Sequence, residues 1–256
     1  MKKVIIFALL ALIMTPAMAA VERIPAEVSP SGTTVVVPQA AIDHSPALEM
    51  IEIVHYKKDF AKPNGVGAKP PKTVSCYGFI SGLAKLIETE NVLVNPIGSG
   101  LTDTQVLAGM QAAAVTWDNE TTKSLFGTFS IDESADFDSV ADGKNEISFG
   151  NYSQTGVIAV TRMWGYFSGK ASSRYITQFD MMFDTDFVWG DASVDATLMD
   201  LQNIATHELG HALGLADQYS GSCQAVTMYG YSDNGDIAKR SLEQPDITGL
   251  HTLYGN

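Results

Sequence analysis

His207-Glu208-Leu209-Gly210-His211-Ala212-Leu213-Gly214-Leu215-Ala216-Asp217 is the stretch that decides how the rest of this 256-residue chain is read. Two histidines four residues apart on a helix project from one face, because four residues make nearly one turn. Their imidazoles can therefore hold one Zn²⁺ together, and Glu208, beside the first, can reach a water on that metal. Gly214 stands where a helix can end in a left-handed turn. The chain then doubles back, and Asp217 comes within reach as a third ligand. Zinc with three protein ligands and one water keeps the open position that catalysis needs. The spacing thus predicts a hydrolytic zinc centre of His207, His211 and Asp217, with Glu208 as general base activating the zinc-bound water. For Asp217 two other roles stand beside ligation: orienting a histidine from behind, or simple solvation in a loop.

Two further stretches extend the pattern. Val226-Thr227-Met228-Tyr229-Gly230-Tyr231 begins nine residues after Asp217, and Pro245-Asp246-Ile247-Thr248-Gly249-Leu250-His251-Thr252-Leu253-Tyr254-Gly255 closes the chain. With these the sequence resembles the metzincin metalloproteases, whose long zinc motif is followed by a turn carrying a methionine beneath the metal. It is most similar to the matrixin-like secreted peptidases, whose last helix the closing stretch resembles. The departure is Asp217, where most metzincins have a third histidine; an aspartate there is similar to the snapalysin branch. The resemblance is strong over residues 201–256 and weaker back to residue 76.

The resemblance implies an α/β (α+β) fold: a twisted mixed sheet, an active-site helix and a small C-terminal subdomain. It implies a zinc-dependent endopeptidase, with Met228 packing under the metal, since a thioether is a poor zinc ligand beside nitrogen and oxygen donors. Tyr231 is a candidate oxyanion stabiliser. In metzincins that use such a tyrosine it falls two residues after the methionine, a place held here by Gly230, so a structural role for Tyr231 is preferred. The alternative from another class is a non-catalytic extracellular binding or adhesion protein that keeps the fold; the intact Glu208 argues against it.

The chain divides into three regions. Lys2 and Lys3 precede an apolar run, and Ala17-Met18-Ala19 offers the small residues of a cleavage site, so residues 1–19 read as a signal peptide and the product as secreted. The apolar run is short for a bilayer span, and no later segment is long and apolar enough to supply one. Residues 20–72 hold seven of the ten prolines and a candidate strand at 50–56. They carry six Lys/Arg against six Asp/Glu, whereas residues 73–256 carry eight against twenty-three. The prolines and the change in charge place a boundary at Lys69-Pro70-Pro71-Lys72, with the catalytic domain at 73–256. The resemblance implies that 20–72 is a candidate inhibitory propeptide; a spacer or tether is the equal alternative.

Within 73–256 strands are expected at 84–94, 128–131, 146–149, 157–164 and 175–183. A helix should open at Thr102-Asp103-Thr104-Gln105, with Val106, Met110, Ala113, Ala114 and Trp117 inward. The zinc helix is expected over 198–213, and a last helix near the end. If 157–164 lines the cleft, its free edge suits an extended peptide or protein substrate. The acidic balance disfavours nucleic acid, and a monomer is expected. Asp180, Asp184, Asp186 and Asp191, and separately Asp132, Glu133, Asp136, Asp138 and Asp142, are candidates for calcium, although neither run has an EF-hand pattern. His44 and His55 are expected not to be ligands; His251 is the rival to Asp217.

Cys76 and Cys223 are the only cysteines. An even count in an exported chain favours a disulfide between them. The rival, implied by the resemblance, is a Cys76 thiolate on the zinc, although Val74-Ser75-Cys76-Tyr77-Gly78 is not similar to the matrixin switch motif.

Overall fold

The computed structural model describes residues 27–28, 34–36, 47–60 and 75–256. The signal peptide, His44 and the 69–72 boundary lie outside the described residues. In chain order the elements are β1 (Glu27–Val28), β2 (Thr34–Val36), β3 (Glu49–Lys57), β4 (Glu90–Val94), α1 (Asp103–Asp118), β5 (Phe126–Ile131) and β6 (Glu146–Gly150). They continue with β7 (Val157–Tyr166), β8 (Tyr175–Asp184), β9 (Trp189–Gly190), β10 (Met199–Asp200), α2 (Leu201–Ala212), β11 (Tyr231–Ser232) and α3 (Gln244–Tyr254).

The main sheet is mixed and runs β1-β2-β3-β7-β8-β6-β4-β5, with β11 paired to the end of β3. The β5, β4, β6 and β8 ladders are parallel, whereas β7 is antiparallel to β8 and β3 is antiparallel to β7. A twisted mixed sheet with, among the described residues, three α-helices is the α/β architecture that the metzincin resemblance implied.

Helix α1 begins where its capping box predicts: Thr102 accepts from the Gln105 amide while the Gln105 side chain accepts from the Thr102 amide. Its buried face is Val106, Met110, Ala113, Ala114 and Trp117. That face packs on α2, where Trp117 Nε1 donates to the carbonyl of Thr206 at 2.8 Å. Helix α2 in turn lies against β7 and β8.

Two expected boundaries move. The first strand of the 73–256 region starts at Glu90 rather than residue 84, because a continuous ladder begins only opposite Phe126; Leu86 makes a lone bridge to Ile176. The zinc helix starts at Leu201 rather than 198, because the Asp200 carboxylate accepts from the Asn203 amide and closes the helix end, while Met199 and Asp200 pair with β9.

The free edge expected for β7 is not free. Strand β3 covers it from Glu49 opposite Gly165 to Tyr56 opposite Val157. Alternation along β3 explains why it stays. Ile51 and Ile53, each 2% exposed, point into the main core, while Val54 and Tyr56 pack on the other face with Val157 and Val160. Burying such an isoleucine contributes about 2 kcal/mol.

Candidate metal centre

The zinc motif falls on α2, whose residues from Asn203 to Ala212 are all buried. Gly214 ends the helix at φ +99°, and a Cβ there would meet the Ala84 carbonyl at 2.0 Å, so the reversal needs glycine. The Leu215 amide closes onto the Gly210 carbonyl at 3.0 Å. The loop after it is pinned by Gln218, whose amide donates to the Met228 carbonyl at 2.7 Å and whose carbonyl accepts from Gly230 at 3.0 Å. Asp217 is thereby carried back to the helix.

His207 Nδ1 lies 2.7 Å from the Thr227 carbonyl and His211 Nδ1 2.9 Å from the Leu215 carbonyl. Carbonyls only accept, so both Nδ1 atoms carry the proton and both Nε2 atoms present lone pairs. Those Nε2 atoms stand 3.1 Å apart. Asp217 Oδ1 lies 3.1 Å from one and 3.4 Å from the other. Among the described residues, Asp217 Oδ1 is the one buried side-chain oxygen or nitrogen without a hydrogen-bond partner. Three lone-pair donors facing one point call for a cation, and a tetrahedral zinc would hold its ligands ~3.3 Å apart at ordinary Zn–N and Zn–O lengths. The set therefore fits zinc.

The surroundings hold each donor in place. Asp217 Oδ2 accepts from the Tyr219 hydroxyl at 2.7 Å. Burial opposes ionisation of Asp217, yet the His211 and His207 imidazoles outweigh it and hold the carboxyl well below its usual range. Burial pushes His207 down to about 3. Met228 is 2% exposed and lies under the helix: a Cβ on Gly210 would meet its sulfur at 2.3 Å and Trp117 at 2.9 Å. The Met228 turn hangs from α3, where the buried Asp246 carboxylate accepts from the Thr227 and Met228 amides at 2.8 and 3.2 Å.

Glu208 is fully buried beside this group, and desolvation pushes it up to about 7. Its Oε2 accepts from the Thr161 hydroxyl of β7 at 2.6 Å. Its Oε1 is met at 2.9 Å by Nδ1 of His55, a β3 residue that the sequence gives no role at the metal. His55 is 0% exposed, its ring centroid lies 4.0 Å from that of His207, and its Nε2 stands 3.3 Å from Lys239 Nζ. An ammonium only donates, so Nε2 accepts and Nδ1–H donates to the carboxylate. Lys239 is a second residue that the sequence does not single out; buried, it is pushed down to about 8 and donates to the Tyr229 carbonyl. Neither residue belongs to a spaced motif, so nothing local marks them.

The other candidates separate. Cys76 and Cys223 are bonded, S–S 2.05 Å, which leaves no thiolate for the metal and sets aside the switch reading. His251 Nε2 lies 2.6 Å from the Glu120 carbonyl, apart from the histidine group. Tyr231 sits among Tyr219, Tyr229 and the β3 side chains; the tyrosine whose hydroxyl reaches the ligand group is Tyr219. Of the acidic runs, Asp184 caps the Tyr152 and Asp186 amides, and Asp191 pairs with Arg240. Asp136, Asp138 and Glu146 gather within 4.8 Å of one another, but Lys144 already stands 3.5 Å from Glu146 and 2.8 Å from Asp142. An ammonium thus answers part of that negative charge.

A family model described as Matrixin matches residues 98–255, more than half of the chain. The chain belongs to the matrixin family. Over 79 residues it is 39% identical to stromelysin-1 of Rattus norvegicus, a stretch covering 31% of this chain and 16% of that protein. Over 76 residues it is 42% identical to matrilysin of Homo sapiens, covering 30% of this chain and 27% of that one. The chain spans less than a third of the length of either relative. The matrixin match contains His207, Glu208, His211, Asp217 and Met228, whereas His55 and Cys76 precede it.

Proposed function

We propose that this matrixin is a zinc-dependent endopeptidase acting on peptides or proteins outside the cytoplasm, with His207, His211 and Asp217 holding the zinc and Glu208 as general base. The observation that carries the reading is the convergence of two imidazole lone pairs and an otherwise unpartnered carboxylate oxygen beside a buried glutamate. Zinc bound there supplies Lewis-acid polarisation of the scissile carbonyl and a water acidic enough to attack near neutrality.

The chain's own residues do the rest. Glu208 takes the proton of the attacking water at Oε1 and returns it to the leaving amine. Thr161, by donating to Oε2, fixes the carboxylate plane so that Oε1 is the working oxygen. Tyr219 and the Thr227 and Leu215 carbonyls hold the three donors in their orientations, as outer partners of metal ligands do. Export rests on the residue 1–19 pattern, and among the described residues no helix is long and apolar enough to cross a membrane.

Casein incubated with zinc-loaded protein tests the reading. Cleavage that a chelator stops and added zinc restores is the expected result. A protein that binds no zinc, or cleavage that continues undiminished under the chelator, would count against it.

A further inference from the structure

A peptide to be cut must bring a carbonyl to the ligand group and Glu208, and the strand that flanks both is β7, which supplies Thr161 to Glu208. Strand addition along β7 is the natural way to seat an extended chain there. That seat is taken by β3. It pairs antiparallel with β7 over its whole length and, at its far end, Tyr56 and Lys57 pair in parallel with Tyr231 and Ser232 of β11. It is thus held between two walls, one from each side of the metal motif in sequence. A substrate strand and β3 cannot both occupy the edge of β7.

The end of β3 is aimed at the chemistry. Ladder pairing puts His55 opposite Ala159, whose small side chain leaves room for the ring, and Ile53 opposite Thr161. The imidazole then lies against His207 and donates to the Glu208 oxygen that Thr161 leaves free. Lys239 closes its other side. The pairing irregularity between His55 and Tyr56 falls beside this contact. With Cys76 bonded to Cys223, no thiol takes part.

We propose that the protein is held latent by its own strand β3, which fills the substrate's place along β7 while His55 occupies the general base Glu208, so that hydrolysis of another peptide requires residues 49–57 to leave. The inference rests on the metallopeptidase reading above. The device is an imidazole on the catalytic carboxylate, borne by a strand that the sheet itself holds. Any substrate competes with an intramolecular strand, so its apparent affinity is divided by the small fraction of molecules with the edge open.

The test uses the full chain loaded with zinc. Turnover of a quenched fluorescent peptide is compared for the wild type, His55→Ala and Val54→Pro, the last because proline cannot continue the ladder. Both variants should turn over at least about tenfold faster than the wild type, through the larger open fraction. Hydrogen exchange of the wild type should show the amides of residues 49–57 losing protection when a peptide hydroxamate saturates the site. Unchanged or lower rates in His55→Ala, with 49–57 still protected under saturating hydroxamate, overturn the proposal. Zinc content is measured on the same samples: absence of zinc overturns the metallopeptidase reading and this one with it, whereas bound zinc with a protected strand overturns this one alone.

Discussion

Helix α2 and strand β3 meet at Glu208, and they arrive there by opposite routes. The helix brings His207, Glu208 and His211 within five residues, so their relation is set by the helical repeat and survives whatever the rest of the chain does. The strand brings His55 from 153 residues away, and only the sheet register places it. A site built on one element is legible from spacing, while a site completed by a distant strand becomes legible only when the pairing is known. The comparison also separates chemistry from access. The helix holds two of the three donors and the proposed base; in the proposal above, the strand governs what reaches them.

The largest expected effect concerns the tie between the start of the 75–256 region and the loop that follows Asp217. The Cys76–Cys223 bridge spans 147 residues of sequence, and removing it with Cys223→Ser should cost about 5 kcal/mol of unfolding free energy by loop entropy. Denaturant unfolding measures this; a loss under about 1 kcal/mol would mean that the bridge constrains little in the unfolded chain. Next comes Glu208→Ala, which should keep zinc yet lower peptide hydrolysis about 10³-fold, the scale of a general base. Unchanged turnover would move the base elsewhere.

A smaller effect bears on the strand. Ile53→Ala should destabilise by about 3 kcal/mol if β3 is anchored in the core as its burial indicates. The same variant should raise basal hydrolysis, because the apolar anchor that keeps the strand seated is weaker. A strand merely lying on the surface would lose less than about 0.5 kcal/mol on this change. Smallest of all should be His251→Ala. It removes one hydrogen bond to the Glu120 carbonyl, costs about 1 kcal/mol and leaves zinc content unchanged, whereas Asp217→Ala loses zinc on dialysis. The reverse pattern in metal analysis would exchange their roles.

Much of the fold could be read from residues near one another. The Thr102–Gln105 box marks a helix start because both partners lie within one turn. Trp117 and its inward neighbours follow the helical repeat, and the apolar, β-branched content of Met50 to Tyr56 marks a strand. The charge difference at residue 72 suggested separate regions, yet Ile51 and Ile53 join the same core as Val92, Ile147 and Leu209. Surface charge composition does not report which strand pairs with which.

From the sequence alone came the His207–Glu208–His211 face, the reversal at Gly214 and the candidacy of Asp217, because each depends on helix periodicity or on one glycine's freedom at positive φ. What the tertiary structure decided was the meeting of Asp217 Oδ1 with two Nε2 atoms, the Tyr219 hydroxyl behind it, the Met228 sulfur in the space that Gly210 leaves, and the seating of His55 on Glu208. His55 and Glu208 lie far apart in the chain, and the nearer contacts depend on how the loop after Gly214 folds back against the core. Their geometry is set by sheet register and by side-chain packing across the core, neither of which has a local period for a sequence to display.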